Sequence, residues 1–187
     1  GFSYHDLMAE LMTHGPDRVA ARLGEICAWF EETQAAGGYR AYYSNPARGT
    51  MQGGNIPGGL GIDREFFESI LVPQVMLYGF LGFQPTTDGF RIDPKLPKDW
   101  PSLTIDRIAL HDLTLAITAT RDGEMVIEKQ GASVGPCRIQ PPTGPWTLEY
   151  LSDGEPDRQS VSIGADTGLI ALDWQNTRGV RLRRTIP

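Results

Sequence analysis

At residues 53–68 the chain reads GGNIPGGLGIDREFFE, and this stretch decides how the fold is organised. Glycines at this density let the backbone take positive φ angles and approach a ligand closely. Asp63 is a suitable N-cap, and Glu65 falls in a first helical turn, where the helix dipole favours negative charge. The pattern predicts a glycine-rich loop that ends at the start of a helix. Loops with a rigid element directly behind them often carry function.

A long apolar helix is predicted after this loop, from Arg64 to Leu81. Its apolar residues leave almost no polar face: Phe66, Phe67, Ile70, Leu71, Val72, Val75, Met76, Leu77, Phe80 and Leu81. A helix that is apolar all round is expected to be buried on all sides, inside something larger. Pro73 is expected to kink the helix, because proline removes one backbone hydrogen bond.

Two further helices are predicted before the loop. Phe2–His14 carries apolar residues at helical spacing, and Gly15-Pro16-Asp17 ends that helix and starts another. The second helix has one apolar face, formed by Val19, Leu23, Ile26, Cys27 and Phe30. Gly37-Gly38 is expected to end it. Three helices of this kind cannot bury one another, so the sequence predicts the C-terminal piece of a larger protein.

The predicted loop between the second and third helices, Tyr39–Ile62, is unusually long. Loops of this length in a compact domain are usually functional or disordered, and the aromatic and amide content argues against disorder. The residues that stand out are Tyr42, Tyr43, Asn45, Arg48, Gln52 and Asn55. Not one Asp or Glu occurs between Tyr39 and Ile62.

After Gly82 the pattern of apolar residues changes to a period of two. Asp122-Gly123 between two alternating runs is a strong hairpin signal. Further strands are expected at 137–140, 146–151, 160–163, 169–174 and 180–185. The prediction is an antiparallel β-sandwich of about eight strands. With the helices, this gives an α+β, multi-domain fold, divided into residues 1–90 and 91–187.

Composition excludes several classes of function. The net charge is −6, and no run of Lys and Arg suggests a nucleic-acid partner. No apolar run reaches the roughly 18 residues that a membrane span requires. Cys27 and Cys137 are expected to be free thiols, and neither they nor the histidines show metal-ligand spacing. No metal and no cofactor is expected. The chain begins Gly-Phe-Ser rather than with Met, which is typical of a processed end or a fragment.

Three segments resemble a known group of enzymes: LGIDREFFES at residues 60–69, VMLYGFLGF at 75–83 and DGFRIDPKLPKDWP at 88–101. The first two look like the final barrel helix of (α/α)6-barrel glycosidases. The third resembles the segment that leaves that barrel for a C-terminal β-sandwich. The similarity is to glycoside hydrolase families 65 and 94 and to related glucoamylase-like and debranching-type enzymes. It covers about residues 59–110, and the G-x-x-I-x-P-x-L-P-x-x-W pattern is its most specific part.

This resemblance implies that residues 1–90 are the last helices and substrate loop of an (α/α)6 barrel, and that 91–187 are the sandwich. It implies an oligosaccharide or glycoside substrate and a general acid upstream, in the N-terminal remainder of the enzyme. Inverting hydrolysis needs two carboxyls about 6.5–9.5 Å apart. The loop has none, and Gln52 stands where one would be sought. Asp63 and Glu65 are therefore the candidate general bases, with Glu68 one turn further on; Asp63 and Glu65 serve equally well as ordinary helix-start residues.

The resemblance also implies sugar-binding roles in the loop. Tyr42 and Tyr43 could stack on sugar faces, while Asn45, Gln52 and Asn55 could hydrogen-bond to hydroxyls, although such amides also serve turns. Two alternatives stay open. An inverting phosphorylase would explain the missing base, since phosphate is its own nucleophile and suits a glycine loop at a helix start. A non-catalytic carbohydrate-binding or structural module would use the glycine loop only as scaffold.

Overall fold

The computed structural model describes residues 2–48, 70–131, 137–152, 157–163, 170–172 and 177–185. The chain is α+β, as predicted, and it divides into two compact units, Gly1–Val75 and Met76–Pro187. The two units are considered separately. The (α/α)6 barrel expected around the helices stays a prediction.

The first unit is helical. Its helices are α1 (Phe2–His14), α2 (Pro16–Ala35), α3 (Tyr39–Tyr42), a 3-10 turn at Pro46–Arg48, and α4 (Leu71–Gln74). The predicted first helix is confirmed, and the predicted second helix is confirmed with an end just before Gly37. Leu7 and Leu11 of α1 are buried with Val19 and Leu23 of α2, as helical spacing predicts. The other predicted members of the α2 face, Ile26, Cys27 and Phe30, are half-buried.

The long apolar helix is helical where the structure describes it, as predicted, but its type changes along the chain. Its first part, 64–69, lies outside the described residues. After α4 the backbone forms a π-helix, Val75–Phe80, and the Leu81 N–H donates to the Met76 carbonyl, five residues back, at 2.9 Å. The sequence did not indicate this π-helical part. Pro73 offers no N–H in the preceding turn, and a segment with no polar face carries no period from which the helix type could be read.

This segment is also not buried on all sides by the chain itself. Leu71 and Val75 are buried in the first unit. Ile70 and Val72, in the same unit, are 49% and 37% exposed. These two large apolar side chains are thus left in water by the described chain.

The second unit contains ten strands among its described residues. One sheet has four strands, in the order β1 (Phe83–Thr86), β2 (Gly89–Ile92), β6 (Cys137–Gln140) and β9 (Ile170–Leu172). The other has six, in the order β3 (Ser102–Leu110), β4 (Leu113–Thr120), β5 (Glu124–Gln130), β10 (Gly179–Arg184), β7 (Gly144–Leu151) and β8 (Asp157–Ile163). The two sheets share one hydrophobic core, so the predicted sandwich is confirmed.

Two details of the sandwich prediction need correction. The described residues form ten strands rather than about eight, because β1 and β2 make a hairpin ahead of the strands that the sequence predicts. The sheet arrangement is also not wholly antiparallel, since β2 pairs with β6 in parallel. A pairing of strands so far apart in sequence leaves no local signal of its direction.

The core follows the alternation that the sequence predicts. In β4 the buried residues Leu113, Leu115, Ile117 and Ala119 alternate with half-buried ones. The β4–β5 connection is the hairpin predicted at Asp122-Gly123. There the Gly123 N–H donates to the Thr120 carbonyl at 3.1 Å, and Gly123 has a φ of 91°. Strand alternation therefore places one face of each sheet in the core.

The proline-rich segment between β2 and β3 lies back along the end of the π-helix. The Asp93 N–H donates to the Gly82 carbonyl at 3.2 Å, and the Lys95 N–H donates to the Phe80 carbonyl at 2.8 Å. The ring of Trp100 lies 4.9 Å from that of Phe80. Gly82 has a φ of 66°, and a Cβ there would lie 2.1 Å from the Asp93 carbonyl oxygen. Only glycine therefore fits at position 82, where the backbone passes so close to that of Asp93.

The predicted domain boundary falls between residues 90 and 91. This boundary was drawn between a barrel and a sandwich. Because the barrel is a prediction, the boundary also stays a prediction. In the structure, β1 and β2 are strands of the second unit.

Candidate functional site

Most of the predicted site lies outside the described residues. Gln52 and Asn55 of the predicted loop lie there, as do Asp63, Glu65 and Glu68 of the predicted helix start. Their roles stay predictions. The described part of the loop, residues 39–48, holds Tyr42, Tyr43 and Asn45, all in the first unit.

Tyr42 is packed rather than presented to solvent. It is the last residue of α3, and it is only 8% exposed. The guanidinium of Arg48 lies over its ring, 4.4 Å from the centroid. Tyr43 meets it edge to face, with ring centroids 4.9 Å apart and an interplanar angle of 74°. One face of the Tyr42 ring is therefore occupied by the protein's own cation.

Glu32 ties this arrangement to α2. Its Oε2 accepts a long hydrogen bond from the Tyr42 hydroxyl at 3.4 Å, and its Oε1 lies 3.8 Å from Nη2 of Arg48. The four side chains, Glu32, Tyr42, Tyr43 and Arg48, are called the tyrosine cluster below. The cluster fixes the start of the loop against the second helix. Arg48 is therefore paired with Glu32 inside the cluster.

The electrostatics of the cluster act on Tyr42. Burial raises the pKa of its phenol, and the negative charge and hydrogen bond of Glu32 raise it further. The positive charge of Arg48 works in the opposite direction. The phenol therefore stays protonated and remains a hydrogen-bond donor at neutral pH.

Asn45 serves the turn in which it lies. Its Oδ1 accepts a hydrogen bond from the Ala47 N–H at 3.0 Å, and its carbonyl accepts one from the Arg48 N–H, also at 3.0 Å. This is an Asx-type cap on the 3-10 turn, the alternative role that amides in loops commonly have. Its sugar-binding role stays a prediction.

The arrangement as a whole anchors a loop rather than completing a reaction centre. It holds Tyr42 in place and leaves Tyr43 half-buried at the point where the chain runs on toward Gln52. Sequence reasoning missed Glu32, which it placed on the solvated face of α2. Ten residues separate Glu32 from Tyr42, and no periodic signal connects a helix face with a loop that follows it.

The described residues contain no group of three or more His, Cys, Asp or Glu side chains placed to hold a metal ion. None of their helices combines the length and the apolar character needed to cross a membrane.

Comparison with known proteins gave distant similarity to solved structures. No family model matches the chain, and no curated protein matches it either. Among solved structures, the chain is similar to a putative kojibiose phosphorylase from the human microbiome, with 17% identity and a TM-score of 0.32. The match covers 52% of this chain, and the chain spans only 13% of the length of that structure.

Proposed function

We propose that this chain is part of a carbohydrate-active enzyme that cleaves glycosidic bonds by hydrolysis. In this proposal the glycine-rich loop and the tyrosine cluster form one wall of the sugar pocket. Asp63 or Glu65 acts as the general base, and a general acid comes from the N-terminal remainder of the same enzyme. The substrate is an oligosaccharide or glycoside, and the chain alone is inactive because it lacks the acid.

The observation that carries the proposal is the segment Asp88–Pro101 in its structural setting. Its sequence resembles the exit from an (α/α)6 barrel. In the structure it contains β2, connects β1 to β3 and hydrogen-bonds back to Phe80 at the end of the π-helix. Three of its residues have clear physical roles there. Phe90 and Ile92 enter the sandwich core, and Trp100 packs on Phe80 at the end of the π-helix.

The exposed apolar residues of the first unit support the same proposal. Ile70 and Val72, with Met12 at 81% exposure, are apolar groups that further helices of a barrel would cover. The partner we infer for this surface is the rest of the enzyme.

The alternative with specific support is phosphorolysis. Tyr39–Ile62 contains no carboxylate, and a phosphorylase needs none there because phosphate attacks the sugar directly. Asp63 and Glu65 count against it, since two carboxylates at a helix start repel phosphate. We therefore place hydrolysis first. The other alternative, a binding or structural module, makes no use of either acid.

The test uses the native polypeptide that carries this sequence, purified intact. Native mass spectrometry first establishes whether the chain is associated with an N-terminal portion. Turnover of α- and β-linked glucosides is then measured with and without inorganic phosphate, for the parent enzyme and for D63N, E65Q and E68Q. E68Q is the matched control, because it removes an acid one turn deeper in the same helix start.

Under the proposal, D63N or E65Q lowers kcat by about 100-fold or more, while E68Q changes it far less. Hydrolysis proceeds without phosphate; turnover that depends on phosphate would establish the phosphorylase instead. Full activity in both D63N and E65Q would exclude them as bases. A stable monomer of this chain with no glycosidase or phosphorylase partner would overturn the enzyme proposal.

A further inference from the structure

A cleft lies on the outer face of the four-stranded sheet, wholly within the second unit. Its volume is about 350 Å³, at the lower end of the range for small-molecule sites. Its lining combines apolar surface with polar side chains and includes Gln84, Arg91, Asp93, Gln140, Pro142 and Thr143. None of these residues belongs to the predicted sugar-binding loop.

Three of the lining side chains form a row across three strands. Gln84 on β1 is directly opposite Arg91 on β2, and Arg91 is the register partner of Gln140 on β6. Register partners share one face of a sheet, with Cβ atoms about 4.5–5.5 Å apart in an antiparallel pair. The flanking residues Phe90 and Ile92 point into the core, so the row faces outward.

Within the part of the chain that the structure describes, the side chains of Gln84, Arg91 and Gln140 make no hydrogen bond or ion pair with one another or with other residues. By contrast Arg138, two residues before Gln140, is paired with Asp88 at 3.1 Å. Among the described residues, Arg91 is therefore a guanidinium without a partner, between two amides that also have none. The row offers both donors and acceptors.

The walls of the cleft are fixed by backbone contacts. Asp93 is held by its N–H bond to the Gly82 carbonyl, and its carboxylate lies 3.6 Å from the Lys95 ammonium. On the other side, the Pro142 carbonyl accepts a hydrogen bond from Nε1 of the buried Trp146 at 2.8 Å. A cleft whose walls are already held loses little entropy when a ligand binds.

We propose that this cleft is a non-catalytic saccharide-binding site, with Arg91, Gln84 and Gln140 as its hydrogen-bonding row. Sugar hydroxyls donate and accept at once, which matches a row that alternates amide, guanidinium and amide next to the Asp93 carboxylate. An anionic ligand would use the guanidinium but would meet Asp93 with the same sign of charge. The half-buried Pro142 supplies an apolar edge for the carbon-bound hydrogens of a sugar ring.

The site is argued from the sandwich alone, and only the choice of neutral sugars as probes rests on the proposed function. The experiment is a ¹H–¹⁵N NMR titration of the 187-residue chain with maltotriose, cellotriose and xylotriose in separate millimolar series. Citrate is titrated in parallel as an anionic probe. The variants are R91A and Q84A, with R107A as the matched control, since the Arg107 side chain is 83% exposed on the other sheet.

The expected result is saturable shifts for one or more of the sugars at residues 82–93 and 140–143. Removing a charged donor should weaken binding about 10-fold or more in R91A and several-fold in Q84A, with no change in R107A. Absence of shifts with all three sugars overturns the proposal, as do shifts that fall elsewhere or that survive in R91A. Cleft shifts with citrate but not with sugars also overturn it.

Failure here and failure of the proposed function are separable. The titration reads binding by the sandwich in a chain that needs no general acid. The catalytic test reads turnover in D63N and E65Q, whose residues lie outside the second unit. If the cleft binds sugars while D63N and E65Q keep full activity, the cleft proposal stands and the two proposed bases are excluded. If the cleft binds no sugar while D63N or E65Q loses activity, the reverse holds.

Discussion

The backbone N–H of Lys95 donates to the carbonyl of Phe80 at 2.8 Å, so a residue of the proline-rich crossing satisfies a carbonyl at the end of the π-helix. The last carbonyls of a helix have no partners within it and need them from elsewhere. The tilted ring of Trp100 lies against that of Phe80, with an interplanar angle of 55°, and adds an apolar contact at the same residue. Position 80 is thereby held from its backbone and from its side chain.

Replacing Lys95 by proline should destabilise the second unit. K95P removes the N–H donor and leaves the Phe80 carbonyl unpaired, which should cost about 1–3 kcal/mol in the free energy of unfolding. K95A keeps the N–H and is the control, with an expected change of less than about 0.5 kcal/mol. Urea denaturation followed by tryptophan fluorescence measures both. Equal stability of K95P and K95A would show that this bond contributes nothing.

Gly89 is expected to be intolerant of any side chain. A Cβ at this position would lie 1.8 Å from the Arg138 carbonyl oxygen, at the point where β2 and β6 pair in parallel. G89A should therefore force the strands apart and cost about 3 kcal/mol or more, or prevent folding.

Gly24 provides the opposite case in the same chain. It lies within α2, and a Cβ there would meet nothing within 4 Å. Alanine is the better helix former, so G24A should stabilise the protein by about 0.5–1 kcal/mol. Thermal unfolding of both variants is the measurement. The prediction fails if G89A and G24A change the midpoint in the same direction.

Arg181 links two acidic side chains on the six-stranded sheet. Its Nη1 lies 3.4 Å from Oε1 of the buried Glu149, and its Nε lies 3.6 Å from Oε1 of Glu124. R181M removes the cation beside a nearly buried carboxylate, which should cost about 1–3 kcal/mol. R107M, at an exposed arginine, should change stability by less than about 0.5 kcal/mol.

The double variant R181M/E149L distinguishes two contributions to the free energy of unfolding. One is the net stabilisation by the ion pair, and the other is the cost of leaving Glu149 without its cation. Replacing both partners with apolar residues of similar size should recover most of the stability that R181M alone loses. Chemical denaturation of the single and double variants gives the comparison. If the losses simply add, Glu149 does not depend on Arg181.

The sequence predicted the parts of this fold whose cause is local. The helix Phe2–His14, the end of α2 before Gly37 and the hairpin at Asp122-Gly123 follow from spacing and from turn residues. The parallel pairing of β2 with β6 depends on contacts between distant segments, which no local pattern encodes. The π-helix at Val75–Phe80 lies in a segment whose apolar residues carry no period from which a helix type could be predicted. The candidate site shows the same division. Tyr42 and Arg48 could both be singled out in the loop, but Glu32, which contacts both of them, lies on α2.

The tyrosine cluster can be tested by the direction in which the pKa of Tyr42 shifts in two variants, whatever the size of the shift. Burial and Glu32 raise the pKa of its phenol, and Arg48 lowers it. E32Q should therefore lower this pKa, and R48M, whose apolar chain can still cover the ring, should raise it further. The difference in ultraviolet absorption between each protein and its Y42F derivative isolates the phenolate of Tyr42 during a pH titration.

The same shift predicts how stability depends on pH. A phenol with a pKa raised above its unfolded value of about 10 favours the folded state while it is protonated. This contribution is complete below the unfolded pKa and is lost as the pH rises through the folded one. Stability should therefore fall more steeply at alkaline pH in the parent than in Y42F. Shifts of the Tyr42 pKa in the same direction in E32Q and R48M would contradict the cluster, because its two charges act on the phenol with opposite sign.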